Sequence, residues 1–277
     1  MIDEKSFNHR SACFLYSCKT YDFPPVKNRD NLLKKNFSNF YSNKIPEPVF
    51  KNLNMLGKVK KQGVYGQRLF GMILRSLRFK NITEKVESKY KLPENLLLAM
   101  IMHESGGVDL LPNSSDDGGI GLIHMQPNLA KKFGLSTYKS CDKLVCKEHG
   151  TEIRKLIKEN GSDRKKLILI DDRFHPVLNI DAAARMLVYY RSGEQFKETP
   201  LQTAILGYAG AFNYKKYYDN IIIYMRTLND KKFLEAIEDD FNKQNEKMTL
   251  NGKLGNFKSY IAAHQEQNLN YGLEEYK

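Results

Sequence analysis

The sequence LPENLLLAMIMHES, from Leu92 to Ser105, contains the most apolar stretch of the chain. Its proline fits the first turn of a helix, where a missing N–H costs nothing, and Gly106 and Gly107 follow as a stop signal. Nearly every side chain between these signals is apolar, so the pattern predicts a helix from Pro93 to about Ser105 that is buried on all sides. The uninterrupted apolar run, Leu96–Met102, is far shorter than the roughly 20 residues that cross a bilayer.

Glu104 is an acidic residue at the end of this apolar predicted helix. At helical spacing it shares a face with Leu97, Met100 and Ile101. Burial among apolar groups favours the protonated form of a carboxyl, and a carboxyl that keeps its proton near neutral pH can act as a general acid. Two interpretations are open from the pattern alone: a catalytic acid, or a glutamate satisfied by backbone groups at a helix end.

The composition is that of a globular protein, with 277 residues of which 41% are hydrophobic and 27% charged. These fractions exclude disorder as the main description. Helical patterns recur along the chain, while residues 108–127 are rich in Asp, Asn, Ser and Gly and indicate a loop or short hairpin. The fold expected is mainly α, a helical bundle around one buried central helix with one small β-hairpin or loop element. The other expected helices are Val49–Lys91, Asn128–Phe133, Thr151–Asn160, Ile180–Ser192, Pro200–Ala209, Tyr214–Leu228, Lys231–Asn245 and Gly255–Asn268.

The charge is concentrated at the start of the chain. Residues 1–80 hold 16 Lys and Arg against 5 Asp and Glu, whereas the remaining residues hold 28 against 27. Such a basic segment attracts anionic polymers such as wall polymers, anionic lipid surfaces or nucleic acid, or it is simply a solvated face. No zinc-finger, RRM or basic-zipper pattern accompanies the charge, which argues against nucleic acid.

The four cysteines form two close pairs, Cys13 with Cys18 and Cys141 with Cys146. Each pair could close a short loop in an oxidising compartment, or all four could be free thiols. Their spacing does not match a zinc site, so neither a metal nor another cofactor is expected. The first 19 residues lack the apolar core of a signal peptide, which leaves open whether the protein is exported by another route.

Residues 92–105 resemble the hallmark of the soluble lytic transglycosylase / goose-type lysozyme family, in which a proline begins a buried helix that ends in a catalytic Glu-Ser. Three further segments resemble the family's other blocks in the same order: Gly118–Pro127 (GGIGLIHMQP), Asp172–Ile180 (DRFHPVLNI) and Ala204–Gly210 around Tyr208. The resemblance implies a lysozyme-like catalytic domain at residues 81–230. A basic, partly helical extension would precede it at 1–80, and a helical extension would follow at 231–277.

The family resemblance implies a peptidoglycan glycan strand as substrate, cleaved between N-acetylmuramic acid and N-acetylglucosamine with Glu104 as general acid and base. A lytic transglycosylase needs no second carboxylate and leaves 1,6-anhydro ends. A goose-type lysozyme hydrolyses instead, and Asp116 or Asp117 would then position the water, unless both aspartates only form a turn before the glycines. Asp109 and Asp172 are weaker candidates for that water-positioning role.

The resemblance also implies which side chains line the substrate site. The expected substrate-binding residues are Ser105, Gly121, His124, Met125, Gln126, Asn179 and Tyr208. A stripe of tyrosines, Tyr214, Tyr217, Tyr218 and Tyr224, either belongs to the core or stacks on sugars. The protein is expected to act as a monomer in the periplasm, in the cell envelope or after secretion.

Three positions depart from the family pattern. His124 stands where the family has Gln, Ala183 where it has Gly, and Ala209 where it has Asn. Because the Gln and the Tyr-Asn pair help to hold the sugar in the family, the recognition of substrate could be altered here. A wall-binding protein without catalytic activity on the same fold is the remaining alternative.

Overall fold

The computed structural model describes residues 72–73, 75–108, 112–113, 117–139, 141, 146–160, 163–191, 200–210 and 215–246. Most of these residues are helical, so the mainly α fold predicted from the sequence is confirmed for this part of the chain. Of the expected β element, the described residues contain one antiparallel bridge, between Ile120 and Met125. The backbone N–H of each of these two residues donates to the carbonyl oxygen of the other, at 3.3 and 3.1 Å.

Nine α-helices are present within the described ranges, and a short 3₁₀ turn at Asp172–Phe174 separates the fifth from the sixth. They are α1 Lys80–Tyr90, α2 Leu96–Glu104, α3 Pro127–Lys132, α4 Lys147–Asn160, α5 Arg164–Ile170, α6 Pro176–Arg191, α7 Pro200–Tyr208, α8 Lys215–Asn229 and α9 Lys231–Glu246. A short helical segment at residues 72–77, in which residue 74 is not described, precedes α1.

Helix α2 lies at the centre of the described fold. Its side chains from Leu96 to Met102 are completely buried, as the apolar pattern predicts for a helix covered on every side. Helices α1 and α8 both pack on it, α6 packs on α1 and α7, and α9 packs on α8. One apolar cluster extends from Ile73 to Ile237, so the core continues across residues 80 and 230, where the sequence suggested boundaries.

The start of α2 differs from the prediction. The helix begins at Leu96 rather than at Pro93, because Asn95 adopts a left-handed conformation with φ 63°. The carboxylate of Glu87, near the end of α1, accepts hydrogen bonds from the backbone N–H groups of Asn95 (3.0 Å) and Leu97 (2.7 Å). A side chain from the preceding helix thus satisfies donors that the first turn of a helix leaves without partners.

Other helices also depart from their predicted bounds. Helices α4 and α6 each begin four residues earlier than expected, at Lys147 and Pro176. Helix α5 was not predicted, although Asp163 provides a cap by accepting a 3.0 Å hydrogen bond from the N–H of Lys166. The expected helix Gly255–Asn268 and the cysteines Cys13 and Cys18 lie outside the described residues. None of the described helices combines the length and the apolar character needed to cross a membrane.

Candidate active site

Glu104 ends α2 and lies where that helix meets α8 and the loop at residues 117–126. Its side chain is 16% exposed, so it is neither sealed in the core nor free in solvent. The hydroxyl of Tyr217, on α8, donates a hydrogen bond to Oε1 of Glu104. The Nδ1 atom of His124, in the loop, lies 3.6 Å from Oε2. Each carboxyl oxygen therefore faces one side chain that can exchange or share a proton.

The sequence named Tyr217 only as one of four tyrosines in a stripe, and it did not predict the contact with Glu104. Its ring is buried, and the imidazole of His103 packs edge-on against it with ring centres 4.6 Å apart. Burial, reinforced by the negative charge of Glu104, raises the pKa of Tyr217 well above its ordinary value. The phenol consequently keeps its proton and remains a hydrogen-bond donor to Glu104 across the neutral pH range.

His103 precedes Glu104 on α2 and is half-buried. Burial lowers the pKa of His103 below its ordinary value, although the charge of Glu104 acts in the opposite direction. The imidazole is therefore uncharged at neutral pH and serves as packing for the Tyr217 ring. Tyr218 and Tyr224 pack against the core, in line with the core interpretation of the tyrosine stripe, and Tyr214 lies outside the described residues.

Three residues expected to bind substrate hold the backbone of the loop segment just before His124. The hydroxyl of Ser105 donates to the carbonyl oxygen of Leu122 at 2.7 Å, and the hydroxyl of Tyr208 donates to that of Ile123. The side-chain oxygen of Asn179 accepts from the N–H of Ile123 at 3.0 Å. Ser105 and Asn179 are buried, so their contacts shape the loop that presents His124 to Glu104.

Gly121 allows this loop to approach helix α6 closely. Its φ of +87° belongs to the left-handed region that glycine adopts without strain. A Cβ atom at this position would lie 2.4 Å from the carbonyl oxygen of Arg173 and 2.6 Å from Nδ2 of Asn179. The sequence suggested that Gly121 admits a sugar, whereas the close approach in the structure is to the protein's own residues.

A fully buried guanidinium, that of Arg173, holds both ends of the same loop. It forms a two-pronged ion pair with Asp171 (3.0 and 2.8 Å) and donates to the carbonyl oxygens of Gly118 (2.7 Å) and Met125 (3.0 Å). Its remaining contact is with Nε2 of His149 at 2.8 Å. Burial, followed by the charge of Arg173, lowers the pKa of His149, so its neutral ring can accept this hydrogen bond.

The contacts of Asp117 favour the turn interpretation of this residue. One of its carboxylate oxygens accepts from the N–H of Gly119 at 2.9 Å, and the other accepts from the side-chain amides of Asn113 (3.0 Å) and Gln126 (3.1 Å). Asp117 is buried, and these bonds connect the two ends of the loop. Asp116 lies outside the described residues.

The other predicted site residues that the structure describes contact groups of the protein itself. Asp172 accepts a 2.7 Å hydrogen bond from the N–H of Ser136, and Asp109 lies outside the described residues. Met125 is buried, and Gln126 contacts Asp117. Ala183 is completely buried in α6, while Ala209, just after α7, is partly buried against the core.

Cys141 and Cys146 form a disulfide, as one of the two cysteine interpretations predicted. The N–H of Cys146 donates to the carbonyl oxygen of Asp117 at 3.3 Å, so the disulfide lies next to the loop at residues 117–126. Within the described part of the chain, no group of three His, Cys, Asp or Glu residues is arranged to hold a metal ion.

Comparison of this chain with protein-family models, with curated protein sequences and with solved structures found no match.

Proposed function

We propose that this chain cleaves the glycan strands of peptidoglycan as a lytic transglycosylase on a lysozyme-like fold, with Glu104 as general acid and base. The observation that carries the proposal is the environment of Glu104: the carboxyl ends a fully buried helix, is partly exposed, and has one oxygen held by the hydroxyl of Tyr217. The sequence blocks that resemble the transglycosylase family meet here, since Ser105, Asn179 and Tyr208 all bond to the loop facing Glu104.

The proposed reaction begins with the protonated carboxyl. Glu104 donates its proton to the glycosidic oxygen, and the electron pair of the bond to C1 leaves with that oxygen. The acetamide of the substrate stabilises the positive charge at C1, after which the C6 hydroxyl closes the anhydro ring and returns its proton to Glu104. The Tyr217 hydroxyl stabilises the carboxylate that is formed during the reaction, because a hydrogen bond to a charged acceptor is stronger than one to a neutral acceptor.

Ring closure is favoured over hydrolysis by the contacts of Asp117. A hydrolytic enzyme of this kind needs a second carboxylate that is free to orient a water molecule. Both oxygens of Asp117 accept hydrogen bonds from the protein, which makes this aspartate a poor partner for water. Asp116 is the carboxylate that would perform this role if the products prove to be hydrolytic.

The place of action that we propose is the periplasm or another part of the cell envelope. The disulfide between Cys141 and Cys146 supports it, because such bonds persist in oxidising compartments. In this setting the excess of basic residues in the segment 1–80 would bind anionic wall polymers or a membrane surface.

The test is mass spectrometry of the fragments released from purified peptidoglycan. Anhydro-muramic ends support the transglycosylase, whereas reducing ends support hydrolysis. We expect E104Q to lower the rate by a factor of about 10² to 10⁴, as for the loss of a general acid. The matched control is E94Q, which changes an exposed glutamate just before the same helix and should leave the rate unchanged. Near-normal activity in E104Q would exclude Glu104 as the acid, and binding without any cleavage by the native chain would indicate a wall-binding protein.

A further inference from the structure

We infer that His124 is a second member of the acid–base site, which shares with Glu104 the proton that is transferred to the substrate. The inference rests on the proposed function for its consequence in catalysis. The pairing of the two side chains itself can be tested without any substrate.

The geometry assigns the shared proton to one carboxyl oxygen. Oε1 of Glu104 already accepts the hydroxyl of Tyr217, so the proton that Glu104 donates is best placed on Oε2. Oε2 is the oxygen that faces Nδ1 of His124, at 3.6 Å. This separation is an ion-pair distance, and contacts between catalytic groups commonly shorten when substrate binds.

Burial strengthens the electrostatic interaction between Glu104 and His124. The His124 side chain is 7% exposed and that of Glu104 16% exposed, so water screens their interaction only weakly. A carboxylate and a protonated imidazole at this separation form an ion pair. The loop places the imidazole there through the bonds that Ser105, Asn179 and Tyr208 make to its backbone.

The other titratable groups around the pair are His103 on α2, Tyr208 on α7 and Tyr217 on α8. Burial lowers the pKa of His103, and it raises the pKa of both phenols well above their ordinary value. These three groups are therefore uncharged near neutral pH.

The proton can rest on either partner between turnovers. When Glu104 gives its proton to the glycosidic oxygen, the bond to C1 breaks and its electron pair stays on that oxygen. The C6 hydroxyl oxygen then bonds to C1, and its proton returns to Oε2 of Glu104 or, through it, to Nδ1 of His124. No proton is gained or lost overall. The glutamine that the resembling family has at this position cannot take up a proton.

The first test is the pH profile of kcat/KM for the native chain and for H124Q. Because a pair with an imidazole keeps its last proton to a higher pH than a lone carboxyl, H124Q should move the alkaline limb to lower pH by about one unit or more. The matched variant H103Q removes the neighbouring imidazole, and it should leave the position of this limb unchanged whatever it does to the rate. An alkaline limb at the same pH in H124Q and the native chain would overturn the inference.

The second test is an NMR titration of the His124 ring in the native chain and in E104Q, and it needs no activity. If the two side chains share a proton, removing the carboxylate should lower the midpoint of the His124 titration. An equal midpoint in the two proteins would overturn the inference that His124 and Glu104 share a proton, even if the chain cleaves glycan. A lowered midpoint in a chain that cleaves no glycan would support the pair and reject the proposed function.

Discussion

The proposed reaction places two opposing requirements on the Glu104 carboxyl. A general acid must hold its proton until the substrate is in place, and it must then be stable as a carboxylate after giving that proton away. The hydrogen bond that Tyr217 donates to Oε1 of Glu104 favours the second of these states. Since the bond from a neutral phenol strengthens when its acceptor becomes charged, Tyr217 would contribute most at the moment of proton transfer in the proposed reaction.

The substitution Y217F tests how much the hydrogen bond from Tyr217 to Glu104 contributes to catalysis. It keeps the buried ring and its contact with His103 but removes the donor to Glu104. We expect kcat to fall by about tenfold to a hundredfold, because the lost hydrogen bond is stronger in the charged state. Unfolding in urea should show a loss of about 1 kcal/mol or less, as for one hydrogen bond.

The control for this variant is Y218F, which removes a hydroxyl from the adjacent residue on α8, a tyrosine that packs against the core. We expect its kcat to match that of the native chain. Equal activity in Y217F and Y218F would mean that the Tyr217 hydroxyl is not part of the acid–base site.

The sequence predicted Glu104 as a site residue but not its hydrogen bond with Tyr217, for a physical reason. A carboxylate in a run of apolar residues is a local anomaly, visible in fourteen consecutive letters. A tyrosine at helical spacing is an ordinary core residue, and the partner of its hydroxyl lies 113 residues away along the chain. Only the packing of α8 on α2 brings the two side chains together.

Among the elements, α2 depends on a side chain outside itself. Its first turn begins at a left-handed Asn95, and its early N–H groups donate to Glu87 of α1. Burial raises the pKa of Glu87 from 4.5 to about 7, although the two backbone hydrogen bonds act in the opposite direction. The cap that joins α1 to α2 is therefore a group that titrates near neutral pH.

The free energy of unfolding should depend on pH because of the titration of Glu87. The folded chain binds the Glu87 proton more tightly than the unfolded chain between pH 4.5 and 7, so the contribution is complete below pH 4.5 and is lost as the pH rises through 7. The native free energy of unfolding, relative to that of E87Q, should fall by about 2–3 kcal/mol between pH 4.5 and 8. Urea unfolding at a series of pH values measures this difference.

The comparison with E87Q is needed because other groups titrate in the same range. Burial lowers the pKa of His103 and His149, and their contribution to stability rises with pH, opposite to that of Glu87. The matched control is E159Q, which changes an exposed glutamate on α4 that pairs with Lys155. A difference between the native chain and E87Q that does not vary with pH would contradict the prediction.

Over the whole molecule, apolar periodicity was enough to predict a mainly α fold and the central place of α2. The short helix α5 was missed because its apolar residues, Leu167 to Ile170, form one continuous run, and such a run does not distinguish a helix from a strand. The hydrogen bonds that hold the loop at residues 117–126 could not be predicted for a different reason. Arg173 bonds to carbonyl groups 55 and 48 residues earlier in the chain, and no local pattern in the sequence encodes such contacts.

The boundary suggested at residue 230 is best tested in α9, which packs on the helix that carries Tyr217. Phe233 is buried in the same cluster as α2, so F233A should lower the free energy of unfolding by about 3–5 kcal/mol. The exposed control K232A should change it by less than about 0.5 kcal/mol. Because α9 belongs to the common core, a single thermal transition, followed by circular dichroism and by glycan cleavage, should move to lower temperature in F233A. If α9 were an independent extension, cleavage would survive to the native temperature, and the catalytic unit would end before residue 231.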